Sequence, residues 1–395
     1  MTAPVLLTAT IWSQAPQTPQ TQRPVFRART DYISTDVRVT DRRGVFVPGL
    51  TQDDFQVLED GVPQRIVLFQ PVVGGRVLPP FVSAGAASRE GVILPARATD
   101  TLGRIFIVFI DDMHLQPGDT PLVRQALRQI RDEVIKPNDL IAVVSTGFSS
   151  IAVDLTYDPE QKRLNEAIDK VMGSADTPRS IIDMPPTSGG VQKLRYNANV
   201  AFRTASDLLT QAAKRSDRRK AFLYVSSGYS FNPYQDSRID KAKEALGTAG
   251  SADPIARPGS DLSEMDLIGQ LAYLADEARR ANVVFYPIDP RGLMAGPNIA
   301  DRLTENEWRE FMTTTLSSLH LLGDATGGFC SCEKNDIRPL LRRIDQEMGD
   351  YYVIGYNTNN PDPMKLRRRI EITVNRQDVN LIYKSEYTLP QTERR

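Results

Sequence analysis

The chain has 395 residues, enough for one large domain and a smaller one, because single cores rarely grow past about 250–300 residues. Its 48 basic and 49 acidic residues nearly cancel, which removes the broad positive field that nucleic acid or an anionic membrane surface selects. Two histidines, His114 and His320, leave little material for a histidine-rich zinc site, and two cysteines in one Cys-x-Cys exclude a disulfide framework.

In chain order, Val5–Trp12 followed by Ser13-Gln14-Ala15 reads as the end of a secretory signal, although it carries no positive flank. Residues 1–25 are therefore expected to be a signal remnant or linker, and export is expected with them. No run reaches the ~18–20 apolar residues of a membrane span. From 26 to 75 the pattern is extended. Tyr32–Thr40 alternates, Phe55–Leu58 stops at a Glu59-Asp60-Gly61 turn, and Ile66–Phe69 follows. Residues 76–103 are rich in Gly, Pro, Ala and Ser and read as a boundary loop.

From 104 to 350 strands and helices alternate. The unbroken apolar run Ile105–Ile110 is a central strand covered on both faces. Thr120-Pro121 opens a helix striped by Val123, Leu127, Ile130 and Val134. Leu140–Ser145 and Ile151–Val153 form an antiparallel hairpin. Asp158-Pro-Glu-Gln161 reads as a capping box for a helix through Leu164 and Ile168. An insertion over 174–192 precedes a helix over 196–215. Next come the strand Ala221–Val225, a polar loop over 229–260, a helix through Met265, Ile268, Leu271 and Ala275, and the strand Val283–Ile288. Thr304 and Glu307 cap a helix bearing Trp308, Phe311 and Leu322, and a weak strand lies near Gly328-Phe329. His320, between Leu319 and Leu321, reads as a packing residue, and Cys330 and Cys332 as a structurally neutral pair. Strands return at Tyr351–Tyr356, Arg369–Val374 and Val379–Tyr383. Residues 26–75 and 351–390 are expected to pair as one Ig-like β-sandwich around the inserted 104–350 unit, because isolated hairpins rarely fold alone.

This order of elements resembles the von Willebrand factor A domain. The flanking motifs Gly49-Leu-Thr-Gln-Asp-Asp-Phe55, Leu58-Glu-Asp-Gly61, Tyr286-Pro-Ile-Asp-Pro-Arg-Gly292, Thr326-Gly-Gly328 and Tyr351-Tyr-Val-Ile-Gly-Tyr356 resemble bacterial VWFA-related proteins of Acidobacteria type. The resemblance covers about residues 30–388. It implies a doubly wound, mostly parallel six-stranded α/β sheet of order 3-2-1-4-5-6, inserted into the small sandwich.

The family's chemistry is a metal-ion-dependent adhesion site, built from an Asp-x-Ser-x-Ser loop, a Thr and a later Asp around Mg²⁺ or Mn²⁺. Here the first loop reads Asp111-Asp112-Met113-His114-Leu115, and Ser227 stands where the later Asp belongs. Thr177 or Thr187 is the candidate for the Thr. A compensated site would use Asp111, Asp112, His114, Ser227 and Asp289, gathered where the strand order reverses, with Mg²⁺ or Mn²⁺ preferred to Zn²⁺. The alternative is that Asp112 and His114 only cap the loop.

The functional expectation is a non-enzymatic, extracytoplasmic protein-binding module. It would contact a protein ligand through the loops 112–120, 174–195, 229–260 and 290–303. The competing expectations are a metal-dependent hydrolase using the same acidic residues and a structural envelope protein without metal. No phosphate loop, nucleophile elbow or His-Glu-x-x-His occurs.

Overall fold

The computed structural model describes residues 32–78, 104–184, 189–215, 219–230, 258–292, 296–297, 302–359, 365 and 367–388. The N-terminal stretch 1–25, Thr187, most of the boundary loop and most of the 229–260 loop lie outside them.

The chain runs β1 (Tyr32–Asp41), β2 (Phe55–Glu59), β3 (Val62–Gln64), β4 (Ile66–Val73) and β5 (Arg76–Val77). The α/β part follows as β6 (Ile105–Ile110), α1 (Thr120–Glu133), β7 (Leu140–Ser145), β8 (Ala152–Tyr157), α2 (Lys162–Lys170), α3 (Pro178–Ile182) and α4 (Gly189–Arg215). It continues through β9 (Lys220–Val225), α5 (Pro258–Arg280), β10 (Val283–Ile288), α6 (Glu305–Thr326) and α7 (Arg338–Gly349). The chain closes with β11 (Tyr351–Asn357), β12 (Arg367–Val374), β13 (Val379–Tyr383) and β14 (Glu386–Thr388).

The central sheet has the order β10-β9-β6-β7-β8, parallel except for β8. All six residues in each of β6, β9 and β10 are buried, as expected for strands covered by helices on both faces. Phe106, Val108 and Ile110 pack with the apolar faces of α1, α2 and α7, whereas Ile107 and Phe109 pack with α4, α5 and α6. Each such side chain removed from water contributes about 1.5–3 kcal/mol. Strand β8 lies at one edge and is correspondingly half-exposed.

Among the described residues the sheet has five strands, not the six expected. The segment near Gly328-Phe329 makes a single parallel bridge, Ile288 with Ser331. The tight Gly327 turn and the crossing of Gly328 over β10 leave too little extended chain for a ladder. Gly328 is fixed there by space, because a side chain at this position would fall on the carbonyl oxygen of Phe285.

Two antiparallel sheets use both ends of the chain. One has the order β13-β1-β11-β4-β5 and the other β14-β12-β2-β3. β1 pairs with β11 and β13, β4 with β11, and β2 with β12. Their shared core centres on Tyr352, whose ring meets Phe46, Phe55 and Phe69 at 5.2–5.4 Å. Its hydroxyl donates to the Val47 carbonyl at 2.7 Å and accepts the Leu50 N–H at 3.1 Å.

Polar contacts tie these sheets to the α/β part. The Arg219 N–H donates to Asp36 at 2.8 Å, and Glu347 gathers Tyr286, Arg343 and Arg38. Burial pushes the Tyr286 phenol well above its ordinary range. Arg104, at the start of β6, forks onto Asp139 at 2.7 and 3.0 Å and reaches Asp345 at 2.7 Å.

Local starts differ in places from the sequence expectation. Thr304 and Glu307 form the capping box as read, each accepting the other's backbone N–H. Asp158 does cap α2, taking the N–H groups of Lys162 and Leu164, but Gln161 is left-handed at φ 55° and the reciprocal bond of a box is absent. The insertion over 174–192 contains the short helix α3, and α4 starts at Gly189 rather than near 196.

Candidate functional site

The carboxyl ends of β6, β9 and β10 bring most of the expected residues to one crest. Asp111 ends β6 with its backbone N–H on the Val225 carbonyl at 2.9 Å, which fixes its side chain between two strands. It is fully buried. One carboxylate oxygen accepts from His114 Nδ1 at 2.8 Å. The other accepts from Ser226 Oγ at 2.9 Å and from the Tyr229 hydroxyl at 3.0 Å. His114 meets the Tyr229 ring edge-on at 4.5 Å, and Tyr229 in turn bonds Tyr224. Burial, followed by the Asp111 charge, pushes both phenols well above their ordinary range, so both stay protonated donors at any working pH.

Asp112 points elsewhere. Its carboxylate accepts from Thr146 Oγ1 and from the Ser149 N–H, and so ties the β6 loop to the 146–150 loop after β7. Asp289, at the end of β10, is held by Arg291 through a two-pronged ion pair with contacts of 2.8–3.1 Å. The same guanidinium donates to the Ser227 carbonyl at 2.8 Å. Among the described residues Ser227 Oγ is buried with no hydrogen-bond partner. Thr177 caps α3 by accepting the Ser180 N–H at 3.3 Å.

A hard divalent cation needs several oxygens free to turn toward it at short range. Of the five residues expected to hold one, Asp111, Asp112 and Asp289 already direct their oxygens to protein donors, and Asp289 is neutralised by a buried guanidinium. Only Ser227 offers an uncommitted oxygen. The residues present do not fit the adhesion-site metal. What they do is hold loops: Asp111 joins the β6 and β9 loops, Asp112 the β6 and β7 loops, and Arg291 the β9 and β10 loops.

Gly228 completes the crest at φ +80°, and a side chain there would fall on the Thr315 carbonyl oxygen of α6. Gly228→Ala is expected to lower unfolding free energy by about 2–4 kcal/mol, from left-handed strain plus overpacking. Urea denaturation measures it, and a loss within error would mean that α6 yields at no cost.

Sequence reading missed two features of this region. Arg291 lies within the Tyr286–Gly292 motif, and nothing in the sequence marks it as the partner of Ser227, 64 residues away. In sequence His320 reads as a packing residue and the two cysteines as a neutral pair. Yet among the described residues they form the one set of three or more His, Cys, Asp or Glu residues whose potential ligand atoms lie within 4.8 Å of one another. The usable signal was that an extended Cys-x-Cys turns both sulfurs to one face.

No family model matches the chain, and no curated protein matches it. Among solved structures it is similar to the human COPII-coat protein Sec24c, with 9% identity and a TM-score of 0.27. The match covers 73% of this chain and 44% of that one, so the chain spans less than half of that neighbour, and a likeness this low carries no argument.

Proposed function

We propose that the chain is a non-enzymatic, extracytoplasmic protein-binding module whose α/β part is of von Willebrand factor A type and recognises its ligand without an adhesion-site metal. One observation carries the reading. Two large apolar side chains, Phe148 and Met172, stand 57% and 50% exposed on adjacent loops at the carboxyl edge of the sheet. Those loops are braced rather than loose. Ser149 Oγ donates to the Met172 carbonyl at 3.1 Å and accepts the Met172 N–H at 3.0 Å, and Asp112 holds the Ser149 N–H from below. Aromatic and methionine side chains presented on a rigid support suit a protein ligand, since such anchors dominate interface energetics.

The test is capture of a saturable ligand from an exported fraction by the immobilised chain, repeated with chelator and with Phe148→Ala/Met172→Ala. Binding is expected to survive chelation and to fall by about tenfold or more in the double variant. Stability should change by no more than about 0.5 kcal/mol, because both side chains are exposed. Undiminished binding by the variant, or binding abolished by the chelator, would overturn the reading. Diffuse association with bulk envelope would point instead to a structural component.

A hydrolytic reading draws support from the Asp111–His114 pair, since a buried carboxylate on Nδ1 is how a general base is oriented. Among the described residues no hydroxyl or thiol bonds the other ring nitrogen. A screen of phosphoester, peptide and glycoside substrates showing turnover abolished by His114→Ala would reverse the preference.

A further inference from the structure

Cys330 and Cys332 follow α6 on a short extended run beside β10. Gly327 ends the helix in the left-handed region at φ 78°, and Gly328 lets the chain press onto β10. The Ser331 N–H then bonds the Pro287 carbonyl at 2.7 Å, and its own carbonyl accepts the Asp289 N–H at 3.2 Å. Extended backbone turns alternate side chains to opposite faces. Cys330 and Cys332 therefore share one face, and both join the apolar cluster on the α6 side of the sheet. From α6 comes His320, one turn before Gly323. A side chain at Gly323 would crowd the backbone of Phe329 and Cys330 at 3.1–3.3 Å, so glycine here lets the cysteine run approach the helix. Three ligand atoms from two rigid elements meet within 4.8 Å.

We propose that His320, Cys330 and Cys332 form a three-ligand site for a thiophilic d10 cation, Zn²⁺ or Cu⁺, which opens when the Cys330–Cys332 bond is reduced. Two thiolates and an imidazole are soft and borderline donors that select these ions over Mg²⁺ or Ca²⁺. With Zn²⁺, three protein ligands leave a fourth position for water. Cys332 is 5% exposed, whereas His320 and Cys330 are half-buried, so a cation enters from one side and rests on apolar packing at the other. The two cysteines are joined as a disulfide, which withholds both thiolates. A dithiol donor opens it by exchange. Its first thiolate attacks one cysteine sulfur and releases the other cysteine. Its second thiolate then attacks its own first sulfur and displaces the cysteine attached to it, so the donor leaves as its own disulfide and two electrons and two protons pass to the chain. The cation binds both sulfurs and the imidazole nitrogen, and the two thiol protons go to solvent.

The experiment uses the full chain, reduced with dithiothreitol, desalted without oxygen and titrated with Zn²⁺ or Cu⁺ against a chromophoric chelator. Co²⁺ serves as the spectroscopic probe. The reduced chain is expected to bind one ion, to release two protons into weak buffer and to give thiolate-to-cobalt charge-transfer bands. The oxidised chain should give none of these, and Cys330→Ser/Cys332→Ser should behave like it. His320→Gln should weaken binding by about tenfold or more. Preference for either ion supports the site and names its cargo. Two results overturn it: a reduced chain that binds neither ion more tightly than the oxidised chain does, or a His320→Gln chain that binds as the natural sequence does. The oxidised chain is the non-binding reference should the double serine variant fail to fold.

Discussion

Replacing Arg291 with alanine is expected to lower the unfolding free energy by about 3–5 kcal/mol, because it leaves a buried carboxylate without its counter-charge. Asp289 and Arg291 have side chains 0% and 2% exposed, so water cannot take over the lost hydrogen bonds. The guanidinium also holds the Ser227 carbonyl, and its removal frees a second buried acceptor. The double variant Asp289→Ala/Arg291→Ala should recover part of the loss, since neither charge then remains unpaired. Urea denaturation of the two single variants and the double variant measures this. A loss below about 1 kcal/mol for Arg291→Ala, the scale of a solvated surface pair, would mean that the crest is wet and open to ions after all. The expected large loss would establish Arg291 as the fixed cation of the crest, standing against the metal that a von Willebrand factor A-like reading brings with it.

The contrast between Asp111 and Asp289 shows what the sequence made legible. Apolar runs such as Ile105–Ile110 and Val283–Ile288 announce buried parallel strands, and a strand's carboxyl end announces where its terminal Asp must lie. Both inferences rest on local sequence, the first on the unbroken apolar run and the second on the residue that follows it. Which group each carboxylate meets is a tertiary property. Arg291 lies two residues from Asp289 but also reaches Ser227, 64 residues away in the chain. Tyr229 reaches Asp111 across 118 residues, and no spacing rule encodes either contact. The sixth strand failed for the opposite reason. Gly327 is a left-handed helix end at φ 78° and Gly328 is fixed by its close approach to the β10 backbone, which together cut the strand to one bridge. His320 was hidden in an apolar helical stripe, where a histidine and a leucine read alike until the facing segment is known.

The second large effect expected is at Glu59, which sits in the other core and links the two ends of the chain. From β2 its carboxylate accepts Arg368 of β12 at 2.6 Å, Thr358 at 2.7 Å and the Tyr387 hydroxyl of β14 at 2.8 Å. Glu59 and Arg368 have side chains 0% and 3% exposed. Burial alone would raise the carboxyl, but the bonds donated by Thr358, Arg368 and Tyr387 outweigh it and hold Glu59 below its ordinary value of 4.5. A depressed folded value means that the folded state binds the proton less readily than the unfolded chain. The stabilisation is therefore full above the ordinary carboxyl range and is lost as pH falls through the folded value. Glu59→Gln removes the charge and strands Arg368, so at neutral pH it should cost about 3–5 kcal/mol. As pH falls below 4.5, natural Glu59 takes up a proton and loses the same charge, so the gap between the two proteins should narrow. Denaturation midpoints measured from neutral to acid pH give both curves. A gap that stays constant throughout would show that the hydrogen-bond geometry, and not the charge on Glu59, joins the N-terminal strands to the C-terminal ones.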